Sequence, residues 1–217
     1  MIGQITPDAV VHVHDALVKP GGIRIPVGYL RLRRAAEVLA VIVLLPFVLP
    51  AVLLVALLIA VTSRGNVLYI QARPGRDGKV FSMYKFRTMH ANSSTDLLAQ
   101  ENDQRITRAG KWLRKYRIDE LPQLLNVLKG DMSIIGPRPV PHNFYQTYLD
   151  EVPGYNLRHL IRPGITGLAQ VLQGYTRTLE EEQLKFRYDL YYISNISAEM
   201  DWAIIRTTVL NLLRGKK

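Results

Sequence analysis

Hydrophobic residues are concentrated in one stretch of this 217-residue chain. Residues 40–61, AVIVLLPFVLPAVLLVALLIAV, contain no charged residue and no polar side chain. A run of 22 apolar residues is long enough to cross the hydrocarbon core of a bilayer as a helix. The run begins too late and is too long for a cleaved signal peptide, and no small-residue cleavage site follows it. The pattern therefore predicts a membrane helix in this part of the chain.

Basic residues and two prolines distinguish this run from a simple spanning helix. Cationic side chains flank it on both sides: Arg31, Arg33 and Arg34 before it, and Arg64, Arg73, Arg76 and Lys79 after it. A spanning helix normally has its basic excess on the cytoplasmic side alone. Pro46 and Pro50 each remove a helical N–H group near the middle, which leaves two arms of roughly 10 residues and about 15 Å. Two interpretations stay open: a proline-kinked spanning helix, and a re-entrant helix–break–helix with both ends in the cytoplasm.

Shorter elements follow the apolar run. Residues 66–89 contain two extended stretches, VLYIQ and KVFSMYKF, separated by the turn RPGRDG. Apolar periodicity predicts helices over residues 105–117, 141–152, 178–194 and 198–213. The last of these has an apolar stripe and a basic tail, which suit either a membrane surface or packing on the core. The alternation around His12 and His14 predicts a short strand, and residues 91–104 are polar enough to be exposed.

The segment DELPQLLNVLKG, residues 119–130, predicts a further helix. Asp119 is a suitable N-cap, Pro122 is allowed in the first turn and Gly130 suits the C-terminal stop. The leucines recur at helical spacing, which predicts one buried face made of Leu121, Leu124, Leu125 and Leu128. A helix start by itself explains Asp119 and the adjacent Glu120 without any chemistry.

Composition narrows the classes of partner and of chemistry. Lys and Arg outnumber Asp and Glu by 28 to 18, and the resulting net charge of +10 favours a membrane surface or phosphorylated substrates. No basic run is interleaved with aromatic residues, so a nucleic-acid partner is not expected. The chain has no cysteine, which excludes disulfides, thiolate zinc sites and a cysteine nucleophile.

Three short loops carry basic residues beside glycine, proline or a strand end. They are YKFRTM with Lys85 and Arg87, GPRP with Arg138, and RPGITG with Arg162. An arginine held in a restricted loop suits planar recognition of phosphate oxygens. Each loop alone is typical of a surface turn with a solvated charge. Together with the adjacent acids, the three loops indicate a site that handles phosphate.

The blocks YKFRTM, RIDELPQLLNVLKGDMSIIGPRP and RPGITGLAQV closely resemble the bacterial small monotopic phosphoglycosyl transferases, the initiating sugar transferases of glycan assembly. The resemblance runs from about Arg31 to the C-terminus, with all blocks in order. It implies transfer of a sugar-1-phosphate from a UDP-sugar to a polyprenol phosphate such as undecaprenyl phosphate, with Mg²⁺ as cofactor. It also implies a re-entrant membrane helix in the inner leaflet of the bacterial cytoplasmic membrane, with the catalytic domain facing the cytoplasm.

The resemblance also assigns roles residue by residue. Asp119 and Glu120 match the catalytic acid pair, which would also hold the metal. The matching phosphate-binding residues are Lys85, Arg87, Arg114, Arg138 and Arg162, and Asp189 matches an acid with a supporting role. One departure concerns the bend of the membrane helix, where relatives often place serine before the breaking proline. Here the pair is Leu49-Pro50, and Pro46 adds a second breaking element.

The resemblance completes the expected fold. We expect an α+β, mostly helical protein with a short β element and amphipathic surface helices. Residues 1–28 would form an irregular lead-in, residues 29–64 the re-entrant membrane helix and residues 65–217 the cytoplasmic catalytic domain.

The expected chemistry is covalent catalysis by Asp119. A position at the positive end of a helix would lower the pKa of this carboxyl and keep it ionised. It would attack the sugar-bearing phosphorus, release UMP and pass the phospho-sugar to the polyprenol phosphate. Two other readings stay open: a non-catalytic basic protein of the membrane surface, and a phosphatase of polyprenyl diphosphates. No motif names the sugar.

Overall fold

The computed structural model describes residues 2, 5–7, 10, 23–63, 65–90, 103–174 and 178–215. The strand predicted around His12 and His14 and most of the polar segment 91–104 lie outside these residues. Within them, the protein is mostly helical with two small sheets, as the sequence predicts.

The helices lie close to the ranges that periodicity predicts. They are α1 (Val27–Thr62), α2 (Arg108–Lys115), α3 (Gln123–Lys129), α4 (His142–Glu151), α5 (Leu168–Leu172), α6 (Leu179–Ser194) and α7 (Ala198–Leu213). Three 3-10 turns accompany them at Arg76–Gly78, Ile118–Glu120 and Tyr155–Leu160. Side-chain caps fix several starts, because Thr107, Thr178 and Ser197 each accept a hydrogen bond from a backbone N–H of the first turn.

Four short strands form two separate pairs. Strands β1 (Leu68–Pro74) and β2 (Val80–Phe86) pair in antiparallel fashion around the predicted RPGRDG turn. Strands β3 (Ser133–Ile135) and β4 (Gly164–Thr166) pair in parallel, so the RPGITG segment is part of a strand and not only a loop. The backbones here are very close, since a Cβ atom on Gly164 would lie 2.1 Å from the Gly136 nitrogen. Glycine is therefore required where the GPRP and RPGITG segments meet.

Helix α1 contains the apolar run and both prolines, Pro46 and Pro50. Its most apolar window has a mean hydropathy of 3.1 and is 11% buried. Among the described residues, it is the one helix long and apolar enough to cross a membrane. The start and end of α1 lie within two residues of the predicted membrane segment 29–64.

Both ends of α1 pack against the rest of the protein. At the start of the apolar run, Val41 is buried against Met83 of β2 and Met132. Near its end, Val55 and Ile59 are buried against Phe86, also of β2, and Leu113. The middle of the helix is exposed, with Phe47 at 77%. The two flanks of the apolar run therefore contact the same globular part.

Ile2, which precedes α1, also packs against the globular part. It is buried in the largest apolar cluster together with Ile193 of α6 and Ile204 of α7. Val10 is likewise buried against Tyr188 of α6. Parts of the predicted lead-in thus contribute to the core that the C-terminal helices build.

Candidate active site

The acid pair lies in the 3-10 turn Ile118–Glu120, and the prediction of Asp119 as a helix N-cap is wrong. Helix α3 begins only at Gln123, and its N-cap residue is Pro122. The reason is local, because an N-cap at Asp119 would need the N–H of residue 121 or 122. Pro122 has no N–H, and the N–H of Leu121 bonds to the Ile118 carbonyl. Asp119 is therefore left free of a capping role.

The buried face of α3 agrees only in part with the one that the leucine pattern predicts. Leu121, Leu124 and Leu128 pack against the core, but Leu125 is 48% exposed, and Gln123, Asn126 and Val127 are buried. Asn126 is held inward, since its side chain accepts a hydrogen bond from the Tyr84 N–H and donates one to the Ser82 carbonyl. This polar side chain joins α3 to β2, and Leu125 lies outward.

Glu120 is a buried carboxylate held by two cations. Its side chain lies 3.1 Å from the Lys85 ammonium and accepts two hydrogen bonds from the Arg138 guanidinium. Burial alone would raise the pKa of Glu120, but the charges of Arg138 and Lys85 hold it below its ordinary value. Burial in turn lowers the pKa of Lys85 to about 8, against the opposing charge of Glu120. Glu120 is therefore ionised and neutralised in place.

Asp119 has the opposite environment although it is the adjacent residue. Its side chain is 7% exposed, and within the described part of the chain it makes no hydrogen bond and no ion pair. Burial and the neighbouring Glu120 charge raise the pKa of Asp119, so the expectation of a lowered pKa is wrong. The positive charges of Lys85 and Arg114 oppose this rise. The result is a carboxyl group with raised basicity and no intramolecular partner.

Arg114 is the third predicted phosphate-binding residue beside the acid pair. It lies on α2, its Nε donates to the Thr88 hydroxyl at 2.7 Å, and its charge acts on Asp119. The chain returns from α2 to the acids through Arg117, which adopts a left-handed conformation with φ of 54°. This conformation is uncommon for a residue other than glycine, and it sets the direction of the turn that presents Asp119.

Arg73 belongs to the same group of charges and was not singled out as a site residue from sequence. It lies on β1, donates to the Pro139 carbonyl and bonds to Gln71. Burial and the nearby charge of Arg138 lower the pKa of Arg73 to about 9. Arg73 lies opposite Phe81, four residues after Tyr69, which pairs with Lys85. Strand alternation therefore places Arg73 and Lys85 on the same face, and this is the signal that could have found it.

Asp189 lies behind the site and not in it, in line with its predicted supporting role. It accepts a 2.6 Å hydrogen bond from Arg158, which also pairs with Glu182 and donates to the Tyr155 hydroxyl. Burial raises the pKa of Asp189 to about 6, against the charge of Arg158. The Arg158 nitrogen that bonds to Asp189, Nη2, also donates to the Arg138 carbonyl at 3.0 Å. The buried network therefore holds the backbone of the GPRP loop.

Two predicted phosphate-binding residues contact other parts of the protein. Arg87 donates to the carbonyl and hydroxyl of Ser63 at the end of α1. Arg162 donates through Nε to the Gly130 carbonyl at the C-terminal end of α3, whereas the acids precede α3. The structure thus groups Lys85, Arg114 and Arg138 around the acid pair, while phosphate binding by Arg87 and Arg162 stays a prediction.

The acid pair meets the requirements for Mg²⁺ only in part. Mg²⁺ is usually held by one or two carboxylates together with substrate phosphates. Both Glu120 oxygens are engaged by cations, while Asp119 keeps its oxygens available. Among the described residues, no group of three or more acidic or histidine side chains could form a complete site. The residues present therefore fit a magnesium ion shared between Asp119 and bound phosphates.

Comparisons with known proteins agree with this site. Residues 28–215 match the sequence model of a family described as "Bacterial sugar transferase". The UDP-N-acetylgalactosamine-undecaprenyl-phosphate N-acetylgalactosaminephosphotransferase of Aeromonas hydrophila is 43% identical over 86% of this chain and 45% of its own length. A UDP-glucose:undecaprenyl-phosphate glucose-1-phosphate transferase of Klebsiella pneumoniae is 42% identical over 82% of this chain and 39% of its own.

A shorter relative is matched over nearly the whole of its own length. The exopolysaccharide production protein PSS of Rhizobium leguminosarum bv. phaseoli is 44% identical over 85% of this chain and 97% of its own. The chain spans less than half of the Aeromonas and Klebsiella relatives. The range that the family model matches contains the acid pair and all three basic loops. From α1 to the end of α7, the chain belongs to the bacterial sugar transferase family.

Proposed function

We propose that this protein transfers a sugar-1-phosphate from a UDP-sugar to a membrane polyprenol phosphate, giving a polyprenyl-diphosphate-sugar and UMP. The observation that carries the proposal is the division between two adjacent buried acids. Glu120 is neutralised by Lys85 and Arg138, whereas Asp119 has no partner among the described residues. The names of the Aeromonas and Klebsiella relatives, both undecaprenyl-phosphate transferases that use a UDP-sugar, support the substrate classes.

Asp119 acts as the nucleophile in a two-step reaction. In the first step, an Asp119 oxygen forms a bond to the sugar-bearing phosphorus, and the bond from that phosphorus to the bridging oxygen breaks. UMP leaves with the electron pair, and a phospho-sugar remains on Asp119 as an acyl phosphate. In the second step, a phosphate oxygen of the polyprenol phosphate attacks the same phosphorus, and the Asp119 carboxylate is released.

The cations around the acids bind and stabilise the phosphates. Arg138 and Lys85 keep Glu120 ionised and in place, and their positive charges attract substrate phosphate oxygens. Arg114 acts from the opposite side through its charge on Asp119. Mg²⁺, when bound by Asp119 and substrate phosphates, would supply charge neutralisation for the anionic attack. Because each cation lies beside a fixed carboxylate, little reorganisation accompanies the reaction.

A quenched-flow experiment without acceptor tests the covalent step. The protein is mixed with a UDP-sugar that carries ³²P at the sugar-bearing phosphorus, and no polyprenol phosphate is added. We expect a burst of UMP equal to the enzyme concentration and label on the peptide that contains Asp119. UMP that appears only with acceptor would overturn the covalent mechanism and favour direct displacement. Absence of uridine nucleotide release under all conditions would overturn the transferase itself.

We further propose that α1 is a re-entrant membrane helix with both ends in the cytoplasm. Val41 at the start of the apolar run and Ile59 near the end of that run pack on the same globular part. Ile2, which precedes α1, shares a core with α7. A helix that crossed the bilayer would carry one flank about 30 Å away from that part. Basic residues also lie on both flanks of the apolar run. Because basic residues accumulate on the cytoplasmic side of a membrane, they favour a cytoplasmic position for both flanks.

Cysteine labelling tests this topology, since the chain has no cysteine of its own. Gly3→Cys and Lys216→Cys are introduced singly and treated with a membrane-impermeant reagent. We expect no labelling in intact cells and labelling of both after permeabilisation. Labelling of the N-terminal site alone in intact cells would establish a spanning helix instead. The double change Pro46→Ala, Pro50→Ala is expected to shift α1 towards spanning, and unchanged topology would show that the prolines do not set the bend.

A further inference from the structure

A cavity rich in arginine lies between the start of α1 and the C-terminal end of α3. Its volume is about 340 Å³. It is lined by five arginines, one acid, one serine and several apolar side chains: Ile25, Val27, Leu30, Arg31, Arg33, Arg34, Glu37, Arg76, Ser133, Leu160, Ile161 and Arg162. Neither member of the acid pair is among these residues, so the cavity is a separate feature of the surface.

Two of its arginines keep most of their donors available. Arg162 uses only Nε, in a 2.8 Å bond to the Gly130 carbonyl, and its terminal nitrogens make no contact within the described residues. Arg34 makes two long bonds, 3.3 Å to the Leu128 carbonyl and 3.5 Å to the Met132 carbonyl. Contacts of this length are weak, and carbonyl oxygens do not neutralise a guanidinium. Burial and the charge of Arg162 lower the pKa of Arg34, so the two groups are close enough to repel each other.

The acid of the cavity compensates this pair only in part, because its charge acts on Arg34 less than burial and Arg162 do. Glu37 lies 3.6 Å from Arg33 and accepts hydrogen bonds from the Ser133 hydroxyl and the Ile134 N–H. Arg33 also pairs with Asp201 at 2.9 Å. Arg33 and Glu37 therefore form a closed structural network, and the excess positive charge remains on Arg34 and Arg162, with Arg31 and Arg76 at the rim.

The surroundings point to a phosphate group that belongs to a lipid. Val27 and Leu30 lie on α1 before the apolar run, and Leu160 and Ile161 also line the cavity. Val27 is 52% exposed, so one side of the site is apolar and open. Basic pockets beside membrane helices bind anionic headgroups in this way. The seven residues of α3 separate the cavity from the acids by roughly 10 Å, too far for a phosphate here to react with Asp119.

We propose that this cavity binds the phosphodiester headgroup of an anionic membrane phospholipid, with Arg34 and Arg162 as the principal ligands. The site lies outside the transferase chemistry and would hold the start of α1 at the depth of the headgroups. The same chemistry could also come from the polyprenol phosphate or from free phosphate, and the experiment separates these sources.

Native mass spectrometry of the detergent-solubilised full chain measures this binding without any turnover. Phosphatidylglycerol, phosphatidylcholine, polyprenol phosphate and inorganic phosphate are titrated separately and in competition. We expect one phosphatidylglycerol adduct that phosphatidylcholine and inorganic phosphate do not displace. Arg34→Gln should weaken it about tenfold or more, since a charged hydrogen bond is lost. Arg31→Gln, at an exposed position without a described bond, should weaken it less and serves if Arg34→Gln fails to fold.

Arg108→Gln is the matched control, because Arg108 is an exposed arginine on α2 outside the cavity. It should leave phosphatidylglycerol affinity unchanged. An equal loss in Arg108→Gln and Arg34→Gln would overturn the site in favour of general surface electrostatics. Displacement by inorganic phosphate would overturn a lipid ligand, and displacement by equimolar polyprenol phosphate would overturn the phospholipid in favour of the acceptor. Each of these results is independent of whether the chain releases UMP.

Discussion

Two buried ion clusters in this protein are linked by the hydrogen bond from Arg158 to the Arg138 carbonyl, and they differ in composition and exposure. In the front cluster, Glu120 pairs with Lys85 and Arg138, whose side chains remain 16% and 29% exposed. In the rear cluster, Arg158 pairs with Asp189 and Glu182, and all three side chains are 2% exposed. The front cluster leaves Asp119 without a partner among the described residues, whereas the rear cluster has an acid on each side of its arginine.

The difference indicates what each cluster is for. A fully buried and saturated ion network has no donor to offer a ligand, and its desolvation cost is recovered only through geometry. The rear cluster fixes the GPRP loop, since Arg158 donates to the Arg138 carbonyl. The front cluster keeps donors and one carboxylate open, which is what a phosphate-transfer site needs. The following variants test this division of roles, in order of expected effect.

Asp119→Asn should have the largest effect on activity. Turnover is expected to fall by several orders of magnitude, because an amide is a poor nucleophile towards phosphorus. Stability should be unchanged or higher, since the substitution removes an ionised group that has no partner. UMP release and thermal unfolding of the same preparation measure both quantities. Near-normal turnover would exclude Asp119 as the nucleophile, and unfolding would assign it a structural role.

Arg158→Met should have the largest effect on stability. Removal of the arginine leaves Asp189 buried without its ion-pair partner and Glu182 paired with Lys185 alone, which costs about 3–5 kcal/mol of the free energy of unfolding. Denaturant titration measures this loss, and Arg187→Met, a change on the same helix α6 as Asp189, is the control with little expected effect. A loss of less than about 1 kcal/mol in Arg158→Met would mean that the rear cluster does not support the fold.

Arg138→Ala should lower activity less than Asp119→Asn does, and should lower stability less than Arg158→Met does. The front cluster keeps Lys85 as a partner for Glu120, so the loss of stability should be smaller than in Arg158→Met. Activity should drop about tenfold or more for the charged hydrogen bond that is lost. Initial rates with a UDP-sugar, corrected for the folded fraction, give this number. If Arg138→Ala unfolds as readily as Arg158→Met, the two clusters do not differ in role.

The smallest expected effect is a pH dependence of stability that belongs to Asp119. Its folded-state pKa is raised, so the stability it contributes is present below the ordinary carboxyl pKa and is lost as pH rises through the folded value. The Tm difference between Asp119→Asn and the natural protein should therefore grow from acid to neutral pH, by about 2–4 °C for each 1 kcal/mol. Turnover should rise over the same range as Asp119 ionises. A difference that shrinks with pH would contradict the raised pKa.

The sequence predicts the elements of this fold better than the environment of its charges. Periodicity locates α4, α6 and α7 within one or two residues, because their apolar positions and caps are local signals. The orientation of α3 is missed, since it depends on the pairing of Asn126 with β2, which lies about 40 residues earlier in the chain. The basicity of Asp119 is missed for a related reason. Pro122, three residues after Asp119, prevents Asp119 from capping a helix. Burial then raises the pKa of Asp119, whereas the helix dipole would have lowered it.

The candidate site could be predicted from sequence through its motifs and the family resemblance. Lys85 and Arg138 come from recognisable blocks, Arg114 was assigned by the resemblance alone, and the structure brings all three to the acids. Arg158 lies in a 3-10 turn without a motif of its own, and its importance follows from partners on a helix about 30 residues away. Such a contact between distant segments has no signature in a single sequence.

The position of Ile2 has a consequence for how the protein is made. Its partners Ile193 and Ile204 are roughly 200 residues further along the chain, so this core closes only after the C-terminal helices have been synthesised. Contacts of such long sequence separation slow folding. During translation Ile2 and the apolar run emerge long before α6 and α7, so this core cannot form until those helices have been made. We therefore expect bulky N-terminal fusions to impair the yield of folded protein more than C-terminal ones of the same size.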